Sequence, residues 1–305
     1  MPQPTRWIVA VDDSDASWNG LDWLDLAVRD DDVVRLLTVH EWAGESRERS
    51  TGRLTIAEHR LRDRHPRLRV VREVVDGPTV SRLLVDATDG DVLVIGGRRS
   101  ERVCAALTGR VAERIVARVA VPVVVVPERW RAGRDEDAVV VGVDGRTAGT
   151  ALAFAAQLAE GCRDGLVLVR AWEPPTSVSP FGAVYLERDR PRWEHEGQLE
   201  LDAAIRTVSR SHPDLRMRGE LRQGRPSETL ARAAATASVV VVGRRHRSAV
   251  GAFLGGSVGE SLMHRSSVPL CVVPRSAPAV VLAAAAERER AHDHGGSRRD
   301  AHLGW

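Results

Sequence analysis

Apolar residues fall along this chain in short unbroken runs, and stretches of helical spacing separate them. The run that anchors the reading is Val239 to Gly243, VVVVG, with no polar residue among its valines. An arginine-rich loop follows, and Gly255-Gly256-Ser257 then opens a predicted helix. An unbroken run of this kind fits a strand covered on both faces, as in a parallel sheet. The loop after such a strand lies at the carboxyl edge of the sheet, where open α/β folds bind ligands. A second stretch of the same design lies upstream. Val92 to Arg110 reads VLVIGGRRSERVCAALTGR, with Gly96 and Gly109 spaced like Gly243 and Gly256.

Comparison of the chain with itself extends the match. IVAVDDS from Ile8 is answered by VVVGVDGR from Val139, and LLTVHEW from Leu36 by LVLVRAW from Leu166. HPRLRVVREVVDG from His65 is answered by HPDLRMRGELRQG from His212, and VPVVVVP from Val121 by VPLCVVP from Val268. The spacing between partners is constant from His65/His212 onward. The one large length difference lies after the second strand, where the later copy carries Glu173 to Gln198; its PPTSVSPFGAV portion predicts a loop, from the prolines and glycine. Agreement in order and type over this length is the mark of an internal duplication.

Strands alternate with helical patterns in each copy. Asp13-Ser14-Asp15 offers a helix N-cap, and Leu21, Leu24 and Val28 follow at helical spacing. Leu152, Ala155, Ala156 and Ala159 repeat that pattern, with Gly161 as a stop. Val80 to Ala87, Ser227 to Ala235, Val111 to Arg118 and Val258 to His264 predict further helices. Each copy is then βαβαβαβαβ, which requires a largely parallel sheet with right-handed crossovers. The expected domains are residues 1–128 and 138–275, joined by a charged linker at 129–137. A tail at 276–305, alanine-rich and then polar, is expected to be partly helical or disordered.

Composition removes several function classes. The 305 residues carry a net charge of +2, which gives no footprint for nucleic acid or an anionic membrane. There is no lysine, so Schiff-base catalysis and a Walker-A lysine are excluded. Cys104, Cys162 and Cys271 are scattered without metal-ligand or redox spacing, which points to a reducing cytoplasm. His292, His294 and His302 lie in the polar tail and are read as solvated, not as a metal site. No apolar run reaches the length of a signal peptide or a membrane span. Gly255-Gly256-Ser257-Val258-Gly259 matches the G-x-S-x-G pattern of serine hydrolases, but that motif needs its serine directly after a strand. Here the strand ends near Gly243.

These motifs together resemble the universal stress protein family in a tandem form. The family pattern is a strand, then Gly, two residues, Gly, nine residues, and Gly-Ser or Gly-Thr. In the later copy Gly243 and Gly256-Ser257 match, and His246 stands at the middle glycine. In the earlier copy Gly96 and Gly109 match, while Arg99 replaces the middle glycine and Arg110 the Ser or Thr. The first-strand aspartates Asp12 and Asp144 and the second-strand valines Val39 and Val169 also match.

The resemblance implies an α/β fold of two flavodoxin-like domains. Each has five parallel strands in the order 3-2-1-4-5 between helices, and the domains pair through their last strands. A homodimer is a further option. It also implies ATP, with or without magnesium, with its adenosine end near the Asp and Val and its phosphates on the glycine loop. The expected contacts in the later copy are Gly142, Asp144, Val169, Gly243, Arg244, Arg245, His246, Gly256, Ser257 and Val258. Their counterparts are Ala10, Asp12, Val39, Gly96, Arg99, Gly109 and Arg110, where the lost motif positions predict an empty or weak site.

The residue chemistry suits that role. Asp144 can accept from a ribose hydroxyl or an adenine amine, Val169 offers an apolar wall, and Gly142 leaves room beside the base. Amides of the Gly243 loop and the helix start at Gly256-Ser257 direct positive charge at phosphate oxygens. Arg244, Arg245 and Arg247 can add charge-assisted bonds. Each residue also has a plain structural use. Asp12 and Asp144 suit helix caps, Gly243 a turn, and the arginines and His246 an exposed face. The expected function is a nucleotide-responsive regulator with a protein partner, and not an enzyme. The alternatives are an interaction scaffold with vestigial pockets and a slow ATPase.

Overall fold

Valine-rich runs supply the strands of this chain, and their alternating side chains build a core on each face of one sheet. The structure is a computed structural model. It describes residues 4–41, 46–97, 110–132, 138–147, 149–160, 165–174, 176–179, 182–185, 189–244 and 258–275. The expected tail, the stop at Gly161 and most of the expected linker lie outside these residues.

The first repeat runs β1 (Arg6–Ala10), α1 (Asp15–Ala27), β2 (Val33–His40), α2 (Arg47–Arg64), β3 (Arg69–Asp76), α3 (Thr79–Asp86), β4 (Val92–Gly97), α4 (Arg110–Arg118) and β5 (Val123–Pro127). The second runs β6 (Ala138–Val143), α5 (Gly149–Ala159), β7 (Gly165–Trp172), the hairpin strands β8 (Thr176–Ser179) and β9 (Gly182–Tyr185), α6 (Arg190–Ser211), β10 (Met217–Gln223), α7 (Pro226–Ala233), β11 (Ala237–Gly243), α8 (Val258–Arg265) and β12 (Leu270–Val273). Local signals account for the boundaries. Ser14 caps α1 by accepting from the Ser17 N–H, as the Asp13-Ser14-Asp15 stretch predicts. Pro226 opens α7, where a missing N–H costs nothing. Gly77 and Gly224 hold φ of +128° and +134° in the turns that leave β3 and β10, a region where a side chain is strained.

The described strands form a ten-stranded sheet in the order β10-β7-β6-β11-β12-β5-β4-β1-β2-β3. Each repeat thus has the order 3-2-1-4-5 and is parallel throughout. The two meet at β12 and β5, which pair antiparallel with Cys271 opposite Val124. Trp7, Val9, Val92, Val94, Val139 and Val141 face one core together with α1, α2, α5 and α6. Ile8, Leu93, Ile95, Val140, Val240 and Val242 face the other, with α3, α4, α7 and α8. Both cores run unbroken through the seam between repeats, and burying each such side chain stabilises by roughly 1.5–3 kcal/mol. Bonds across the repeats reinforce the seam: Trp23 Nε1 donates to the Ser238 carbonyl at 3.1 Å, and Arg29 pairs with Glu160 at 3.5 Å.

Two sequence expectations change. PPTSVSPFGAV is not loop throughout, because Thr176–Ser179 and Gly182–Tyr185 pair as an antiparallel hairpin with Ser179 opposite Gly182. A two-stranded hairpin needs few residues with strand propensity, and Val178, Val184 and Tyr185 supply them between the prolines. The charged linker is anchored at its start. Trp130 is buried in the first core, and Asn19 Nδ2 donates to the carbonyls of Pro127 and Glu128 at 3.2 and 2.8 Å. No helix among the described residues is long and apolar enough to cross a membrane.

Candidate functional site

The crevice of the second repeat follows from its strand order. β6 and β11 are neighbours, but the chain leaves β6 into α5 on one face and leaves β11 toward α8 on the other. Their carboxyl ends therefore splay around a gap, the topological switch point of an open α/β sheet. A pocket of about 90 Å³ occupies it. Gly142, Asp144, Val169, Gly243, Arg244 and Val258 all line this pocket. Every expected second-repeat residue that is described is thus brought to one place. Arg245, His246, Arg247, Gly256 and Ser257 lie outside the described residues.

Asp144 follows β6 and closes a tight turn. Its Oδ1 accepts from the Arg146 N–H and from the Thr147 hydroxyl, both at 2.9 Å, and its own N–H donates to Thr147 Oγ1 at 2.8 Å. Asp12 makes the same turn in the first repeat: its N–H donates to Ser17 Oγ at 2.9 Å, and its Oδ1 accepts from the Ser14 N–H at 2.8 Å and from the Ser14 hydroxyl. Both aspartates therefore organise the start of the following helix, and Asp144 does so while half-buried on the pocket wall. Val169 is almost fully buried and packs with Leu230 and Val242 as an apolar side of the pocket.

The glycines differ in what the fold asks of them. A Cβ on Gly96 would stand 2.7 Å from backbone atoms of Ala16 and Ser17, so close packing of β4 against α1 already requires glycine there. Among the described residues a Cβ on Gly243 would meet only the Ala151 Cβ, at 3.7 Å, which is ordinary contact, and the residue has no positive φ. Gly243 therefore has no steric or conformational need for glycine from the described fold. Gly142 does have a neighbour: the expected free space beside it is taken by Leu230, whose Cδ1 would lie 2.8 Å from an added Cβ.

Arg244 has partners that its sequence context does not suggest. Its Nη1 donates to the carbonyls of Val116 and Val119, at 2.9 and 2.6 Å, at the C-terminal end of α4 in the other repeat. Those carbonyls lack intrahelical partners and carry the negative end of the helix dipole, so they attract a cation. Burial lowers the Arg244 pKa from its ordinary value, and the guanidinium remains charged. The side chain expected to reach phosphate thus lines the pocket and is also tied to the seam through Nη1.

In the first repeat Ala10 and Val39 pack against the core beneath the corresponding edge. Arg110 opens α4, but its side chain, with Arg99 and Gly109, lies outside the described residues. Thr147, Arg170, Pro226, Leu230 and Arg275 line the second-repeat pocket without having been predicted. The Gly224-Arg225-Pro226 turn and the position of Arg170 directly after Val169 were usable signals for two of them. Leu230 offered only its place on a helix.

Comparison with known proteins agrees with this geometry. A model of the universal stress protein family matches residues 5–127 and again residues 137–274. The universal stress protein Rv2005c of Mycobacterium tuberculosis is 27% identical over 221 residues, which cover 69% of this chain and 70% of that one. Among solved structures, a universal stress protein from Archaeoglobus fulgidus superposes with a TM-score of 0.60 at 18% identity, over 88% of this chain and 98% of that one. The protein PA1789 of Pseudomonas aeruginosa gives 0.62 at 13% identity, over 94% and 98%. The order of strands, the doubled motif and the match of the family to both halves lead to one conclusion: the chain belongs to the universal stress protein family, with two copies of its domain in tandem.

Proposed function

We propose that this protein is a cytoplasmic, nucleotide-responsive regulator that binds ATP or a related adenine nucleotide in its second repeat. The observation that carries the reading is Gly243, a glycine at the mouth of the pocket that neither packing among the described residues nor backbone conformation requires. A glycine kept at such a place leaves room for a ligand to approach the backbone. The surrounding residues fit the same ligand. Val169, Leu230 and Val242 offer an apolar bed for a base, and Asp144 stands at its rim. At about 90 Å³ the pocket is smaller than the roughly 300–1,000 Å³ of most ligand sites, which suits the base end of a nucleotide whose phosphates extend toward the loop after Gly243.

ATP would supply a phosphate chain that orders this loop, and a regulatory protein partner would read the ordered form. Such a switch requires different affinity for two loop states. The reading assigns no turnover, since among the described residues the pocket's one carboxylate, Asp144, is engaged in its own turn. Equilibrium dialysis and thermal melting with ATP and magnesium test it. ATP at 100 times its dissociation constant raises stability by about 2.7 kcal/mol. No binding at millimolar ATP would end the proposal.

Arg244 and Asp144 favour a second reading, an interaction scaffold without ligand. The first is held by the seam and the second by its own turn. Under that reading ATP leaves the melting temperature unchanged.

A further inference from the structure

Arg146, Arg170, Arg244 and Arg275 line the second-repeat pocket, and none of them has an arginine as its counterpart in the first repeat. Aligned through Asp12/Asp144, Val39/Val169, Gly96/Gly243 and Pro127/Pro274, they stand where the first repeat has Ser14, His40, Gly97 and Glu128. Two of the four are committed within the fold: Arg170 pairs with Glu200, and Arg244 Nη1 is tied to the Val116 and Val119 carbonyls. Arg146 and Arg275 are exposed, and their side chains have no hydrogen-bond or ion-pair partner among the described residues. Of these two, Arg275 alone replaces a residue of opposite charge.

We infer that Arg275 is a specificity-determining residue of the second-repeat site: its guanidinium binds the phosphate chain of the nucleotide and selects phosphorylated ligands over the bare nucleoside. The inference rests on the nucleotide reading above. The register of the sheet fixes which end of the pocket Arg275 occupies. Val169 lies opposite Gly142 at the β7 end, where the apolar bed is. Gly243 lies opposite Val273, and the Arg244 N–H donates to the Val273 carbonyl at 2.7 Å. Arg275 therefore leaves β12 two residues past the point where the loop after Gly243 begins. From β7 across β6 and β11 to β12 is three strand spacings, about 14 Å at about 4.8 Å each. A nucleoside seated on Val169 and Asp144 covers only the near part of that span, and what crosses Gly243 toward β12 is the phosphate chain. A guanidinium meets phosphate oxygens there with two parallel donors. Arg275 needs no rearrangement of the fold to do so, because no internal ion pair has to break. The first repeat puts the carboxylate-bearing Glu128 at this position, which would repel the same chain. This assigns the empty or weak first site a cause besides the changed glycine motif.

The test is titration calorimetry on the full chain with ATP and with adenosine, in one magnesium buffer at fixed ionic strength. The unaltered protein is expected to bind ATP at least about tenfold more tightly than adenosine, the lower end of the scale for a hydrogen bond to a charged group. Arg275→Gln should weaken ATP by about tenfold and leave adenosine within about twofold. Arg275→Glu, which copies the first repeat, should weaken ATP further. Arg62→Gln removes the same charge from an exposed part of α2 in the first repeat and should leave both affinities within about twofold. Equal affinity of the unaltered protein for ATP and adenosine, or a full preference kept in Arg275→Gln and Arg275→Glu, overturns the inference and leaves nucleotide binding standing. So does an equal loss for both ligands in Arg275→Gln, which would mark a structural role, or an equal loss of ATP affinity in Arg62→Gln, which would mark an effect of net charge. No binding of either ligand overturns the nucleotide reading as well.

Discussion

Arg244 and Val119 belong to different repeats, and Nη1 of the first lies 2.6 Å from the carbonyl oxygen of the second. The first residue of the loop after Gly243 is thereby tied to the end of a helix in the other half of the chain. The corresponding residue in the first repeat is Gly97, which has no side chain to return the contact. Arg244→Met should leave the Val116 and Val119 carbonyls without their donor and destabilise the chain by about 1–3 kcal/mol. Urea denaturation measures this, and an unchanged midpoint would show the contact to be idle. Arg244→Lys should recover part of the loss, since an ammonium can still donate but lacks the fork.

Gly243 and Gly96 should respond differently to the same change. Gly96→Ala forces a Cβ to within 2.7 Å of the α1 backbone and should cost about 1–3 kcal/mol, as overpacking does. Gly243→Ala should melt close to the unaltered protein while losing most of its stabilisation by ATP. Thermal melts with and without nucleotide give both results, and a large loss of stability in Gly243→Ala without ligand would remove the argument made from that residue.

Glu41 gives a pH prediction. Pro78 precedes α3 and has no side chain to cap it, and Glu41 Oε1 takes over by accepting from the Thr79 hydroxyl and from the Thr79 N–H at 2.8 Å. The hydroxyl bond, then the amide bond, hold the Glu41 carboxyl below its ordinary range. A carboxyl lowered on folding contributes stability above its unfolded pKa, near 4.3, and loses it as pH falls through the folded value. Glu41→Ala should therefore be less stable at pH 7 by about 0.5–1 kcal/mol, the scale of a lost cap. The gap should narrow below about pH 4. A gap that is constant across this range would contradict the assignment.

Cys271 lies fully buried in β12 at the seam, and burial pushes its thiol pKa up. The thiolate is the reactive form. In a Cys104→Ser, Cys162→Ser background, a disulfide reagent at pH 8 should label no thiol until denaturant is added. Rapid labelling of the folded chain would mean that the seam opens.

Much of this architecture could be read from residue order. The valine runs marked the central strands because a strand buried on both faces has no polar side to show. Repetition of Asp12/Asp144 and Val39/Val169 pointed to the sheet edge where Asp144 and Val169 line one pocket. What escaped depended on neighbours distant in sequence. Trp130 sits among charges and looks like linker, yet the fold provides a core beside it. Arg244 belongs to an arginine cluster that suits solvent or phosphate equally well, and its actual partners are carbonyls of the first repeat. Leu230 fills the space over Gly142 only because α7 lies across β6 and β7.

The antiparallel junction of β5 and β12 makes the strands of one repeat run opposite to those of the other, so the two crevices open at opposite rims of a single sheet. Were two identical chains to pair in this way, every substitution would be written into both halves at once. Here the halves share a backbone and are encoded separately. One can acquire Arg275 where the other has Glu128, or Arg244 where the other has Gly97, and dilution does not part them. Duplication has thus freed the two rims to take up different chemistry within an assembly whose stoichiometry is fixed when the chain is made.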